Sequence, residues 1–334
     1  MNRIYLGVDA GNSKTAVLAC LGTGEVLGAG RSGCGDIYGA PTPAAAVEAV
    51  LAAVDEALLQ AGIGTADLAG AALRLAGVDW PEDAEFWAAA LSSRWPVALG
   101  RSILNDGYAA IRCGEPSGVG VAVIGGTAAA VAARGEDGSL WDMGWWGQHA
   151  MGATGLVQEA LRAVCLAELG EAPTTRLTQT LPAFYGLGTV RELNHWFTRR
   201  EAPATARERT RGARVVTRAA VAGDPVAVSI VREQGRRMAM YAGVAARKVG
   251  LSGQDRPVRV VLSGSVLADQ DSPVATALLD QLAEFLPHAE AHRAVLPPVA
   301  GAVLDALAEA GLQPDQDTVR RLVETTPDKY FATS

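Results

Sequence analysis

The first residues of the chain with chemical potential lie in a short polar stretch between two apolar runs. Ile4 to Val8 is apolar and ends in the acid Asp9, a turn follows, and Ala16 to Leu21 is apolar again. This pattern predicts a β-hairpin. Its polar tip comprises Gly11, Asn12, Ser13, Lys14 and Thr15.

The hairpin tip has the groups that bind phosphate. Gly11 lets a bulky anion approach the backbone amides, and the ammonium of Lys14 and the hydroxyls beside it can bind oxygen atoms. A carboxylate repels a phosphate, so we expect Asp9 to hold a Mg²⁺ between them, through water. Taken alone, the stretch is equally well explained as an ordinary β-turn with a solvated acid and lysine.

A second carboxylate follows another apolar segment. Asp106 comes after the strand predicted over Val97 to Leu104. Ligands lie at the carboxyl ends of strands in α/β sheets, so this acid should face a cleft. There it can orient a substrate hydroxyl and accept its proton during γ-phosphoryl transfer. It can also serve as the N-cap of a helix predicted over Gly107 to Cys113.

Two more turns of small residues follow predicted strands. Gly125-Gly126-Thr127 follows Val119 to Ile124, and Ser263-Gly264-Ser265 follows a buried strand. The second turn would admit a flat adenine ring and present backbone amides to a ribose or phosphates. Either turn alone is a weak signal, since glycine turns after strands are common. Together with the hairpin tip, they indicate a site for a nucleotide.

The elements that carry these turns occur in the same order twice. In each copy a hairpin is followed by a third strand and then by alternating helices and strands. Two such copies would place their glycine turns across a cleft from each other, where a nucleotide can be clamped. The predicted elements of the first copy after the hairpin are Glu25 to Arg31, Pro43 to Ala61, Ala69 to Ala76, Asp83 to Arg94, Val97 to Leu104 and Gly107 to Cys113.

The second copy is interrupted by a helical insertion, from about Gly155 to Val249. We therefore expect an N-terminal domain over residues 1–115 and a C-terminal domain over residues 116–311. Residues 312–334 form a tail that can pack back on the first domain. The elements predicted after the hairpin of the second copy are Gly138 to Asp142, Val258 to Leu262, Pro273 to Leu286, Ala289 to Ala294 and Ala300 to Ala310.

Composition excludes several classes of function. The chain has 334 residues, 49% of them hydrophobic, which is enough for two domains with separate cores. Its net charge of −7 argues against nucleic-acid binding. No apolar segment is long enough to cross a membrane and no signal peptide is recognisable, so we expect a cytoplasmic protein. Cys20, Cys34, Cys113 and Cys165 are too scattered for a zinc or iron–sulfur site within one chain.

As an ordered set, the motifs resemble the N-acetylglucosamine kinase and BadF/BadG-type ATPase family, within the actin, hexokinase and Hsp70 ATPase superfamily. The resemblance implies a duplicated RNase H-like α/β fold of the actin/hexokinase type, with two domains around a nucleotide cleft. The matching segments are Asp9 to Thr15, Asn105 to Gly107, Gly125 to Thr127, Gly144 to Gly147, Leu262 to Ser265 and Pro297 to Ala302.

The resemblance also implies the roles of individual residues. It implies that ATP and Mg²⁺ are bound, that Asp106 contacts the substrate and acts as the base, and that Asp9 is the metal residue. Trp145, Trp146 and Gly147 would lie on the sugar side, although packing between domains explains the tryptophan pair equally well. The nucleotide would be held by Gly11, Asn12, Ser13, Lys14, Thr15, Gly126, Thr127, Gly264 and Ser265.

The sugar side departs from the family pattern. Cys34 stands where the kinases have an asparagine, Ala129 and Ala130 replace polar residues of the second phosphate loop, and Ala153 replaces the sugar-binding aspartate. Each buried polar group left unpaired costs ~1–3 kcal/mol, which argues against N-acetylglucosamine itself.

Two functions therefore stay open. One is an ATP-dependent kinase for a hydroxyl of a sugar or amino-sugar-like small molecule. The other is a kinase-like protein that binds nucleotide or ligand without phosphorylating a sugar. The expected partner is a small molecule, and a homodimer is left open.

Overall fold

The protein was analysed as a computed structural model, in which residues 3–92, 94–95, 100–253 and 256–331 are described. Their strands form two five-stranded mixed sheets with the same topology. The first sheet has the order β3-β2-β1-β4-β5. Its strands are β1 (Ile4–Ala10), β2 (Thr15–Leu21), β3 (Val26–Ser32), β4 (Leu68–Leu75) and β5 (Arg101–Asn105).

The second sheet repeats this arrangement, with the order β8-β7-β6-β9-β10. In both sheets the second strand along the chain pairs antiparallel with the first and the third. The fourth strand pairs parallel with the first, and the fifth pairs parallel with the fourth. The duplication predicted from the order of motifs is therefore present in the fold. The strands are β6 (Gly120–Gly125), β7 (Ala129–Arg134), β8 (Leu140–Asp142), β9 (Val258–Ser263) and β10 (Ala289–Arg293).

Helices cover both faces of the first sheet. Helix α1 (Pro43–Ala61) packs on β2 and β3, and the late helix α11 (Pro298–Glu309) packs on β1 and β4. The approach of α11 requires glycine at position 7, because a Cβ there would lie 2.4 Å from the backbone nitrogen of Val303. Helix α12 (Gln316–Thr325) lies against β3, where Thr325 Oγ1 accepts a 3.0 Å hydrogen bond from the N–H of Val26.

The remaining helices connect or extend the sheets. Helix α3 (Gly107–Arg112) follows β5 and packs on β6 and β7 of the second sheet. The insertion begins at Gly152, three residues before its predicted start, and shares one hydrophobic core with the second sheet. None of the helices among the described residues is both long and apolar enough to cross a membrane. The helices from the insertion onward are α4 (Gly152–Glu168), α5 (Leu177–Phe184), α6 (Val190–Thr198), α7 (Ala206–Thr210), α8 (Ala213–Val221), α9 (Pro225–Lys248) and α10 (Pro273–Phe285).

Helix α2 (Pro81–Ser92) begins two residues before its predicted start. Proline suits the first helical position because its missing N–H would be unpaired there in any case. The carboxylate of Asp83 accepts hydrogen bonds from the N–H groups of Asp79, at 3.1 Å, and Trp80, at 2.8 Å. These bonds fix the helix start. Residues 97–99 of the strand predicted over Val97 to Leu104 lie outside the described residues, and β5 extends one residue further than predicted, to Asn105.

Candidate active site

The β1–β2 hairpin presents a tight polar tip. The N–H of Gly11 donates to the carbonyl oxygen of Lys14 over 2.9 Å, which closes the turn, and Asn12 and Ser13 are exposed. Thr15 is fully buried, and its hydroxyl donates to the carbonyl oxygen of Gly33 over 3.0 Å. The amide of Asn12 donates to Asp36 Oδ2 over 2.7 Å. The side chains of Asn12 and Thr15 therefore brace the hairpin against residues 33–36, and their role in nucleotide binding stays a prediction.

Asp9 and Lys14 form the charged base of this hairpin. Burial raises the pKa of Asp9 to about 6, and the nearby ammonium of Lys14 counteracts part of that rise. Burial lowers the pKa of Lys14, which Asp9 opposes. A desolvated carboxylate of this kind fits a metal ion, whose charge would compensate for the lost hydration. The described residues contain no group of three or more metal-ligating side chains, so a Mg²⁺ at Asp9 would complete its shell with water and phosphate oxygens.

The second glycine turn and the loop after β9 are in direct contact. The N–H of Gly126 donates to the carbonyl oxygen of Ala128 over 2.9 Å, and the N–H of Val266 donates to Gly125 O over 2.7 Å. Gly264 has a φ of 83°, and a Cβ on it would lie 2.6 Å from Gly125 O. Only glycine allows this approach. The two loops thus form one surface, on which Thr127 and Ser265 are exposed.

Helix α4 begins against the same surface. The N–H of Ala153 donates to Gly126 O over 3.0 Å, and the N–H of Thr154 donates to Thr127 O over 2.9 Å. The hydroxyl of Thr154 also bonds to Thr127 O, over 2.8 Å. The first turn of α4 therefore shapes the glycine turn through its backbone. Ala153 brings no polar side-chain atom to it.

Asp106 lies at the junction of β5 and α3, partly exposed. It occupies the N-cap position, but its side chain makes no capping hydrogen bond. Asn105 does the capping, since its Oδ1 accepts the N–H of Gly107 over 2.9 Å. Burial, followed by repulsion from Asp9 and other acids, raises the pKa of Asp106 to about 7. The carboxylate makes no capping hydrogen bond, and its pKa suits the acceptance of a proton near neutral pH.

Sequence reasoning missed two more acids, Asp79, which is close enough to raise the pKa of Asp106, and Asp142, whose charge acts on Asp79. Asp79 follows the end of β4 by four residues, and its Oδ1 accepts the amide of Asn105 over 2.9 Å. Burial and the charge of Asp142 raise its pKa to about 6. Asp142 ends β8, and its Oδ2 accepts the hydroxyl of Tyr108 over 2.9 Å. The available signal was positional, because Asp79 follows the end of β4 and Asp142 is the last residue of β8, and ligands lie at the ends of strands in α/β sheets.

These acids line an aromatic cavity of about 200 Å³. Trp145 is 57% exposed and Trp146 is 66% exposed, so packing between the two sheets does not account for most of their surface. Trp145 meets the ring of Tyr38 edge-on, with 5.9 Å between centroids. Gly147, predicted on the sugar side, lies beside Met143. The described lining residues are Asp79, Trp80, Tyr108, Leu140, Trp141, Asp142, Gly144, Trp145 and Trp146.

Cys34 lies in the loop that the hairpin braces. Its thiol is 3.8 Å from the carbonyl oxygen of Asp36, to which it donates weakly, and burial raises its pKa. A thiol in this state is a poor partner for a sugar hydroxyl.

The model of the BadF/BadG/BcrA/BcrD ATPase family matches residues 6–308, and the chain belongs to this family. Among solved structures, a candidate N-acetylglucosamine kinase from Chromobacterium violaceum is 26% identical, with a TM-score of 0.67 over 92% of this chain and 99% of that chain. No curated protein matches the chain.

Two further solved structures share the fold. A candidate N-acetylglucosamine kinase from Porphyromonas gingivalis is 16% identical, with a TM-score of 0.60 over 92% of this chain and 99% of that one. A ROK family glucokinase from Streptomyces griseus, solved with glucose and AMPPNP, is 20% identical. Its TM-score is 0.57, over 91% of this chain and 98% of that chain. The predicted α/β fold, duplicated and of the actin/hexokinase type, is confirmed.

Proposed function

We propose that the protein is an ATP-dependent kinase that transfers the γ-phosphoryl group to a hydroxyl of a sugar or amino-sugar-like small molecule. The observation that carries the proposal is the state of Asp106. Its carboxylate makes no capping hydrogen bond, lies at the carboxyl end of a strand, and has a pKa raised to about 7. Family membership and the sugar-kinase neighbours support the same reading.

In this proposal the nucleotide lies between the two glycine turns. ATP, bound with Mg²⁺ at Asp9, supplies the γ-phosphoryl group. Backbone amides carry most of the phosphate contacts, since the Asn12 and Thr15 side chains bond within the protein. The residues proposed to hold the nucleotide are Gly11, Asn12, Ser13, Lys14, Thr15, Gly126, Thr127, Gly264 and Ser265, with Asn12 and Thr15 contributing through their backbone.

The acceptor lies at the aromatic cavity. Asp106 is not one of the described lining residues, but the lining acid Asp79 is close enough to raise the pKa of Asp106, so one acceptor hydroxyl can be directed at Asp106. The carboxylate accepts the hydroxyl proton as the oxygen attacks phosphorus. Asn105 holds the strand end in place, and Trp145 and Trp146 offer exposed faces for a sugar ring. Closure of the two halves over the acceptor would exclude water and limit hydrolysis of ATP.

An ADP-release assay over amino sugars, N-acetylated sugars and neutral hexoses tests this function. We expect turnover that depends on one class of acceptor and is lost in Asp106→Asn. The matched control is Asp137→Asn, because Asp137 is an exposed acid in the turn before β8. Absence of acceptor-dependent turnover, with Asp106→Asn indistinguishable from wild type, would refute the kinase.

The second candidate is a kinase-like nucleotide- or ligand-binding sensor, or an ATPase that does not phosphorylate a sugar. It is favoured by the small side chains of Ala129, Ala130 and Ala153, which place no polar side-chain atoms around the second glycine turn. In that case ATP binding would persist without a phosphorylated product. Mass spectrometry of the acceptor after incubation with ATP separates the two functions.

A further inference from the structure

A second cavity, of about 10 Å³, lies between the stem of the β1–β2 hairpin, the first turn of α11 and the short helical turn Asp328–Tyr330. A space of this volume holds about one water-sized group. None of its described lining residues belongs to the second glycine turn or to the loop after β9. The cavity is therefore separate from the space between the two glycine turns.

Tyr330 brings an unpartnered hydroxyl to this cavity. The residue is 6% exposed and packs in an apolar cluster with Tyr5, Ala16 and Val303. Its hydroxyl oxygen is buried, and none of the described residues is a hydrogen-bond partner for it. Buried polar groups are almost always hydrogen-bonded, because burial without a partner loses the bond to water and gains nothing in return. A ligand atom held in the cavity would restore the missing bond.

The start of α11 presents a second unpaired donor. The N-cap residue, Pro297, makes no capping hydrogen bond, and Pro298 at the first helical position has no N–H. Ala300 and Gly301 both donate to Pro297 O, at 2.9 and 3.3 Å, so in this first turn the N–H of Val299 is left without a described acceptor. Val299 also lines the cavity and is only 1% exposed. A hydrogen-bond acceptor in the cavity would therefore satisfy two buried donors.

Charge decides between a water molecule and an anion. The residues lining the cavity include Lys14, Arg31 and Lys329, whereas Asp9 is the single acid of the described lining. None of the three cations forms an ion pair within the described part of the chain. Arg31 and Lys329 are exposed, so their charges are partly screened, but Lys14 is half-buried. Water would satisfy the two donors only, whereas an anion would also offset the excess positive charge.

We propose that this cavity binds one small inorganic anion, of which chloride is the simplest, through the hydroxyl of Tyr330, the N–H of Val299 and the ammonium of Lys14. Such an anion would tie the Asp328–Tyr330 turn and α11 to the hairpin whose tip is proposed to bind phosphate. Anion binding should therefore stabilise the folded protein. The site goes beyond the proposed function and is compatible with either candidate.

Thermal unfolding in chloride tests the inference. Sodium chloride is exchanged for sodium gluconate at constant ionic strength, because gluconate is too large for a space of about 10 Å³. We expect the melting temperature to rise by about 2–4 °C between chloride-free buffer and ~100 mM chloride, for a site with a Kd of ~10 mM. The rise should persist with saturating ADP. Bromide soaked into crystals should give an anomalous peak beside the hydroxyl of Tyr330.

Tyr330→Phe is the sharpest variant, because it removes the hydroxyl and keeps the ring. No hydrogen bond is lost in the chloride-free protein, so its melting temperature there should equal or exceed that of wild type. The rise with chloride should fall to less than about half. The matched control is Tyr185→Phe. The Tyr185 hydroxyl donates to Arg209 O and accepts the N–H of Gly212, so this variant should lose the same stability with and without chloride.

Three results would overturn the inference. The first is a melting temperature that does not depend on chloride at constant ionic strength. The second is a loss of stability in Tyr330→Phe that is the same at every chloride concentration, which would assign a water molecule to the cavity. The third is a chloride effect that saturating ADP abolishes, which would assign the cations to the nucleotide. A failed kinase assay with the Tyr330-dependent chloride effect intact would refute the kinase and leave this site standing.

Discussion

The side-chain amide of Asn105 ties Asp79 to the start of helix α3. Its Nδ2 donates to Asp79 Oδ1 and its Oδ1 accepts the N–H of Gly107, both over 2.9 Å. The residue is only 8% exposed. Only a side chain with both a donor and an acceptor can make these two bonds, and together they fix the backbone on either side of Asp106.

Asn105→Asp should therefore impair catalysis through position and charge. The new carboxylate can still accept the N–H of Gly107, but it cannot donate to Asp79. It also adds a negative charge beside Asp79 and Asp106. We expect kcat/KM to fall by about tenfold or more, and the acidic limb of its pH profile to move to higher pH as repulsion raises the pKa of Asp106. Steady-state kinetics from about pH 5 to pH 9 measure both. If kcat/KM falls but the acidic limb of its pH profile stays at the same pH, the role of Asn105 is purely structural.

Asp106→Asn should reduce activity while stabilising the ligand-free protein. Removing the base should lower kcat by ~10²–10⁴. Because the carboxylate is partly buried and repelled by Asp9, its neutral replacement should raise the free energy of unfolding by ~1–2 kcal/mol at neutral pH. Chemical denaturation measures this change, and ATP affinity should remain as in wild type. A destabilised variant would contradict the proposed electrostatics.

The acid cluster also sets how stability depends on pH. The pKa values of Asp9, Asp79 and Asp106 are raised to about 6, 6 and 7 in the folded protein, against ~4 when unfolded. The folded state therefore holds extra protons between these values, and its stability should decrease as pH rises from ~4 to ~7. Denaturation at several pH values tests the sign, and Asp106→Asn should flatten the slope. Acids with lowered pKa values, such as Glu233, act in the opposite direction, so the comparison with Asp106→Asn is decisive, and an unchanged slope in that variant would refute the assignment.

Asp305 should be among the most sensitive residues for stability. It is 1% exposed and pairs with Arg74 on β4, Arg112 at the end of α3 and Arg134 on β7, so it joins both sheets to α11. Asp305→Asn removes the described ion-pair partner of Arg112 and Arg134, while Arg74 keeps its pair with Glu309, and it should cost about 3–5 kcal/mol. Asp55→Asn is the matched control, because its pair with Arg94 is exposed and should contribute less than ~1 kcal/mol. Similar losses in both variants would show that the cluster adds little.

The same cluster shows where sequence reasoning reaches its limit. The hairpins, the duplication and the position of Asp106 after a strand could be predicted from the sequence. Apolar periodicity and turn residues determine such features within a few positions of the chain. Arg74 and Asp305 are 231 residues apart, and only the packing of α11 on the first sheet brings them together. The convergence of Asp79 and Asp142 on one cavity is likewise set by the arrangement of strands, which no local pattern encodes.

Gly264→Ala should separate the loop after β9 from the second glycine turn. The added Cβ would lie 2.6 Å from Gly125 O and 3.0 Å from Gly126 N, and these backbone atoms cannot yield without moving the turn. We expect the KM for ATP to rise by about fivefold or more, together with a loss of stability. Gly138→Ala is the control, because its φ of 82° matches the 83° of Gly264 but nothing lies within 4 Å of the new methyl group. It should show only the cost of a left-handed backbone, ~1 kcal/mol, with an unchanged KM for ATP. If both variants bind ATP like wild type, the contact between the two loops does not shape the nucleotide site.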